Sequence, residues 1–355
     1  MTHASNPIVL TSLLAAALAG GEAAPAPVWE NLSAGFFADV AQKPSGNVGI
    51  YGLCLDPKNS SVLLDYGPYN SKLAVKGLGL YRSADRGDTW ALSEIPLSGR
   101  GETGFWSNTP QPYNGRMALW TIDGVSVVTG DGGVTWRKLG KSGRGFDYAD
   151  ADWNAGDPQT MFGLEHEPFF RVLSIDGGAT WKRIDEAADT ESFKQNKKWY
   201  PRVGVAGTKA LVATDGLGEG VLYSGDLGST WIKVADFKPL GLHPIHYGKR
   251  LYWAASAGVI VSEDGKTWKL LGSELANANW GPYFGTTEKD LLVVTDKGLH
   301  LSRDAAVTWN LVAPPPPKVW LGNPRTLGIC FAWDAANRIV YASSPGGCYR
   351  LLLEK

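Results

Sequence analysis

Side chains that could act on a ligand are spread along this chain between strand-like stretches. The tightest group is Glu165-His166-Glu167, an imidazole whose flanking carboxylates would raise its pKa and orient it for acid–base work. Asp65 opens the long loop DYGPYNSKLAVKG, and Asp215 stands in another polar loop. Two carboxylates roughly 5 to 9 Å apart can cleave a glycosidic bond, one as acid and the other as base or nucleophile. Asp65 paired with Asp215 or with Glu165 would supply them. Arg116, Arg202 and Arg325 carry planar forks suited to a carboxylate ligand. With Arg202 or Arg325 neutralising a uronate, His166 and Tyr200 could instead remove and return a proton, which is polysaccharide lyase chemistry. His243 and His246 invite a metal, but no third ligand is visible, so no metal and no cofactor is assigned; a hydrogen-bonded histidine pair is the plainer reading. Trp280 and Tyr283 offer rings to a sugar face or, more plainly, to a neighbouring element. The three arginines could equally pin loops by pairing with nearby carboxylates.

The elements that must position these groups announce themselves through a repeated phrase. SADRGDTW (Ser83 to Trp90), TGDGGVTW (Thr129 to Trp136), SIDGGATW (Ser174 to Trp181) and SGDLGSTW (Ser224 to Trp231) are four copies. SEDGKTW (Ser262 to Trp268) is a residue short, and SRDAAVTW (Ser302 to Trp309) has Ala305 and Ala306 for the glycines. The phrase is a hairpin signal. Asp accepts backbone N–H groups just ahead of it, Gly supplies positive φ, and Thr and Trp start the next strand. This phrase resembles the Asp-box, or BNR repeat, of sialidases, two-propeller xyloglucanases, sorting receptors and a photosystem II assembly factor. In those families the box is structural and joins the third and fourth strands of a propeller blade, so its Asp and Trp residues are not site candidates.

Asp85, Asp131, Asp176, Asp226, Asp264 and Asp304 stand 46, 45, 50, 38 and 40 residues apart, the period of a four-stranded blade. Blade one reads as GIYGLCLDP, SVLLDYG, LGLYRS and TWALSEI. At the far end LGICFAWD, RIVYASS and GCYRLLL give only three strands. VWENL (Val28 to Leu32) resembles TWRKL and TWNLV without a box before it. An all-β, seven-bladed propeller is therefore expected, with the N-terminal strand completing the last blade and removing two open edges. Residues 28–355 form that one domain, in units of about 47 residues; Pro314 to Pro317 make a stiff entry into blade seven.

In such a ring the boxes and the first-to-second strand turns share one face. The loops into each inner strand and the second-to-third strand loops share the other, where propellers gather their sites. All the candidates above fall in those loops, together with Asp147, Asp150 and Asp152 of RGFDYADADW. Asp65 also stands where the xyloglucanase resemblance places a catalytic Asp, although the Thr-Asp-Ile-Gly-Gly-type turn of that family is absent. The sialidases' Arg-Ile-Pro-type motif is absent too, and seven blades are counted here against their six.

Composition narrows the classes. Forty-four glycines with 19% charged residues suit a turn-rich all-β chain. A net charge of −1 without a basic run argues against nucleic acid. The apolar run Ile8 to Gly20 is too short to span a bilayer, and Ala17-Leu18-Ala19 fits a cleavage site, so residues 1–27 read as a signal peptide and short linker although no Lys or Arg precedes the run. Cys54, Cys330 and Cys348 suggest no disulfide framework. The expectation is a secreted or periplasmic monomer that acts on an oligo- or polysaccharide, anionic ones included, most simply as a glycosidase. A lyase and a non-catalytic binding propeller are the alternatives.

Overall fold

The repeated phrase folds as one recurring turn. In the copy starting at Ser174, Asp176 Oδ1 accepts the Ser174 hydroxyl at 2.7 Å and the Thr180 N–H at 2.9 Å, and Oδ2 accepts the Thr180 hydroxyl at 2.5 Å. The same three bonds recur at Asp85, Asp131, Asp226, Asp264 and Asp304. They hold the Asp85 and Asp176 carboxyls down at about 2, the threonine hydroxyl contributing most. Two successive residues after the Asp are left-handed: Gly177 and Gly178 at φ 68° and 83°, Arg86 and Gly87 at 66° and 96°, Leu227 and Gly228 at 58° and 88°. Ala305 and Ala306 keep the conformation at 58° and 67°, at about 1–2 kcal/mol for each side chain forced there. The worn copy shows its wear elsewhere as well. Three of the tryptophans donate their indole N–H to the carbonyl of the second left-handed residue, and Trp268 of the short copy donates to Gly265, while the buried Trp309 nitrogen meets no acceptor.

The computed structural model describes residues 27–39, 48–56, 58–68, 79–92, 105–107, 117–120, 125–131, 134–153, 158–166, 170–184, 202–214, 218, 220–317, 330–344 and 346–353. The apolar run Ile8 to Gly20 lies outside them. Among the described residues no helix is long and apolar enough to cross a membrane.

These residues form seven four-stranded antiparallel sheets, each pairing its strands in chain order except the last. Blade 3, for example, runs Phe146–Ala151, Met161–Glu165, Arg171–Ser174 and Lys182–Arg183. Blade 4 runs Val203–Gly207, Ala210–Thr214, Val221–Ser224 and Ile232–Ala235, and blade 5 runs Ile245–Tyr247, Arg250–Ala255, Gly258–Ser262 and Lys269–Leu270. In most successive blades the first strands lie against one another, which puts them at the centre of the ring. The turns sort by face as the hairpin logic requires. Box residues bond to the first-to-second turn of their own blade, Gly177 to Gln159, Leu227 to Lys209 and Ala305 to Lys289.

The core consists of seven apolar layers, one at each blade interface, rather than one central mass. Box tryptophans belong to these layers: Trp181 packs at 4.5 Å from Phe146 and 6.2 Å from Trp120 of the preceding blade. Box carbonyls also receive bonds from the blade before. Gly140 N–H reaches Gly178 at 2.7 Å, Arg137 reaches Gly177 at 2.7 Å, and Ser273 N–H reaches Ala306 at 2.8 Å.

The last blade closes with the N-terminal strand. Cys330–Asp334, Ile339–Ser344 and Gly347–Leu352 are completed by Glu30–Asn31, with Glu30 opposite Arg350 and Asn31 opposite Tyr349. The Arg350 fork grips Glu30 at 2.6 and 3.0 Å, and its remaining nitrogen reaches Asp88 and the Arg86 carbonyl of the first box. Trp29 is buried in the seam between blades 6 and 7 and donates to Pro314 O at 2.9 Å. The sequence pattern assigns no element immediately beyond this strand. A helix, Ser33–Asp39, forms there, because Asn31 Oδ1 accepts the Ser33 N–H and Phe36 fills a slot against Tyr81 and Trp90.

Two outcomes test these contacts. Ser174→Ala leaves the buried Gly178 N–H, now 2.8 Å from the Ser174 hydroxyl, without an acceptor and should cost about 1–3 kcal/mol in urea unfolding, whereas exposed Ile175→Ser should change stability by less than about 0.5 kcal/mol. At the closure, Trp29→Ala should cost about 3–5 kcal/mol, and Arg350→Met about 1 kcal/mol or less, because its partners are solvated. A larger loss for Arg350→Met would place the closure in the ion pairs rather than the apolar seam.

Candidate functional site

The loop face of blade 3 assembles a polar group around His166. Its first strand carries a β-bulge between Phe146 and Tyr148, and the extra residue, Asp147, is re-aimed by it. Asp147 Oδ1 meets His166 Nδ1 at 2.6 Å, with both residues nearly buried. A carboxylate accepts only, so the proton of this bond is on Nδ1. The sequence suggested the flanking glutamates as partners of this imidazole. Glu165 instead turns to Arg183, whose Nε and Nη2 both lie 2.9 Å from Oε2, and accepts Ser142 at 3.3 Å. Arg183 in turn covers the Phe170 ring at 4.2 Å. Glu165 is 1% exposed and held in an ion pair. Glu167 lies outside the described residues.

A second buried group joins three blades. Asp150, three residues along the same strand, is wholly buried. Its Oδ1 accepts the Trp153 indole at 2.8 Å and its Oδ2 accepts the Val205 N–H of blade 4 at 2.9 Å. His243 and His246, at the entry to blade 5, bring Nδ1 and Nε2 to 3.8 Å from the two oxygens. His243 Nδ1 lies 2.9 Å from the Pro244 carbonyl and donates to it. Burial works to raise the Asp150 carboxyl, but His246, His243 and the Val205 N–H together hold it below the ordinary range. Burial pushes His243 below its ordinary value, Asp150 opposing. The result is an anionic Asp150 against a neutral His243. The approach is close enough to demand glycine at 204, where a Cβ would sit 2.3 Å from Pro244 Cδ. Among the described residues no three His, Cys, Asp or Glu side chains are grouped to hold a metal ion.

The other nominated residues are distributed differently. Arg202 is buried at the start of blade 4 and donates to Leu240 O at 2.9 Å, pinning the loop into blade 5. Trp280 lies in the interface of blades 6 and 7, 5.8 Å from Phe331 and 6% exposed, so its ring is packed rather than offered to a sugar. Tyr283 lies half-buried against the same layer, and burial raises its phenol. Asp65 lies in the second strand of blade 1, opposite Gly52 and Leu80, and its side chain is outside the described residues. Arg116, Tyr200, Asp215 and Arg325 lie outside them altogether. Sequence reading missed Arg183 and the partnering of Asp147 and Asp150. The signal was present in FDYADADW, since carboxylates in an inner strand must find partners, but which partners was not.

No protein-family model matches the chain, and no curated protein matches it in sequence. Among solved structures it is similar to YCF48 bound to D1 peptide, at 12% identity and TM-score 0.48, over 92% of this chain and 97% of that one. It is similar to YCF48 from Cyanidioschyzon merolae at 12% and 0.46, over 91% and 98%. A third likeness, at 10% and 0.47, is to the extracellular domain of the hybrid two component system BT3049 from B. thetaiotaomicron, covering 86% of this chain and 40% of that one. Such scores and identities carry nothing about activity, and the ring rests on its own strand pairing.

The Gly204 approach can be tested directly. Gly204→Ala forces the Pro244 ring away and should cost about 1–3 kcal/mol in equilibrium unfolding. Loss of less than that would mean the loop gives way without strain.

Proposed function

We propose that this propeller is a binding module that engages an anionic or hydroxyl-rich ligand, a uronate-bearing polysaccharide in the first instance, on its loop face without cleaving it. One observation carries the reading: the nominated catalytic and ligand-binding polar side chains that are described are each turned inward to a protein partner. Glu165 holds Arg183, His166 holds Asp147, Arg202 holds the Leu240 carbonyl, and His243 and His246 crowd Asp150. A glycosidase needs an unpaired carboxyl to give up a proton. Arg116 and Arg325, with the loop aromatics, are the residues proposed to recognise the ligand. The Asp-box resemblance, the exported location and the monomeric state belong to the same proposal.

A second reading has one observation in its favour. The Asp147–His166 pair at 2.6 Å fixes the imidazole as a base positioned by a carboxylate uses it, which is the proton abstraction a lyase requires.

Affinity electrophoresis through uronate-containing and neutral polysaccharides, run beside assays for new reducing ends and for unsaturated product, separates the two. The expected result is retardation by the anionic polymer with no product. Arg116→Ala or Arg325→Ala should each weaken binding about tenfold, the loss of one charge-assisted contact. Unsaturated product that disappears in His166→Ala would replace the binding reading with the lyase. Neither retardation nor product would remove carbohydrate as the ligand.

A further inference from the structure

The three-blade group around Asp150 has a property that a purely structural plug would not need. It places a neutral imidazole, in the loop that seals it, against a fully buried carboxylate. We propose that residues 236–244 form a proton-operated latch, seated over Asp150 at neutral pH and released from the ring by acid.

The bonds that hold this loop can be named among the described residues. The loop leaves the fourth strand of blade 4 and enters blade 5 over Gly204, where Pro244 lies on the backbone. It is held by Arg202 Nε to Leu240 O at 2.9 Å, by Trp253 Nε1 to Gly241 O at 2.9 Å, and by Leu240 and Gly241 N–H to Ala254 O. The Ser256 N–H also bonds Lys238 O at 2.9 Å, Pro239 bridges Ala255, and His243 and His246 contact Asp150. Among the described residues the charged groups around His243 are few. Blade 3 presents Asp150, the loop's own end presents His246, and blade 4 presents Arg202 through Leu240. Asp147 and Asp152 of the same blade 3 strand are engaged elsewhere, with His166 and with Thr208.

The sign follows from burial. The seated loop disfavours a proton on His243 relative to water, the Asp150 charge offsetting this only in part. Conformations in which His243 reaches solvent therefore bind the proton more tightly. As pH falls below the ordinary histidine value of about 6.5, proton uptake favours the released loop, and the seated form recovers as pH rises. Release also hydrates Asp150, so its charge adds no standing cost to the open state. Asp147, which pairs with His166, lies three residues from Asp150 on the first strand of blade 3.

Hydrogen exchange of the full chain between about pH 7.5 and about pH 5, corrected for intrinsic rates, tests the latch. Peptides covering residues 236–247 should exchange about tenfold faster for each pH unit over which one proton is taken up, while peptides covering 291–302 in blade 6 stay unchanged. His243→Gln should abolish that slope, and His246→Gln should retain most of it. An equal slope in His243→Gln, an acceleration shared by the whole ring, or no acceleration overturns the proposal. If His243→Gln does not fold, the ring resonances of the wild-type histidines decide. His243 titrating near about 6.5, as an exposed histidine would, also overturns it.

Discussion

A sheet of four short strands cannot stand alone in water, and seven of them in a row would end in two open edges. Everything in this molecule depends on turning that row into a ring. The closing bond is made by a strand of only two residues, Glu30–Asn31, paired to Gly347–Leu352. Two backbone pairings are a slender join, and the protein reinforces it from both sides. Trp29 is buried in the seam before it, Phe36 in the seam after it, and Arg350 ties Glu30 to the first box across the gap. The apolar layers carry most of this, because the ion pairs are partly solvated.

With the core divided into seven interfacial layers, the ring has no central hydrophobic mass, and polar side chains at the middle must satisfy one another. Between blades 3 and 5 they do so densely. Asp150 accepts hydrogen bonds from blades 3 and 4 and is approached by two imidazoles of blade 5, and Gly204 leaves room for the histidine loop to approach. A buried charged contact of this kind is weak evidence for net stability, because desolvation offsets much of its attraction. It also makes the arrangement sensitive to protons, because the group beside it is the side chain whose ordinary titration lies closest to neutrality.

The functional reading turns on the same economy of partners. Glu165 and His166 looked like a single catalytic group because they are adjacent. In a strand adjacent residues point to opposite faces, and at the end of Met161–Glu165 they part company, one to Arg183 and the other to Asp147. The bulge that moves Asp147 toward His166 is a one-residue irregularity in pairing, and no spacing in the chain marks it.

What the sequence determined by itself is what depends on local, repeated chemistry. The Asp, Thr and Trp of each box specify their turn through bonds within five residues, so the blades, their number and the unpaired strand at the start could be counted directly. The helix carrying Phe36 escaped notice because its seven residues are stabilised by a slot in another blade rather than by their own propensity. The pairings of the candidate site were undecidable for a related reason. Asp150 and His246 are two blades apart in the chain, and Glu165 meets Arg183 only after two strands have turned back on themselves. Such contacts are selected by where the ring places side chains and by how little water is left to solvate them. Only the closed tertiary structure fixes either.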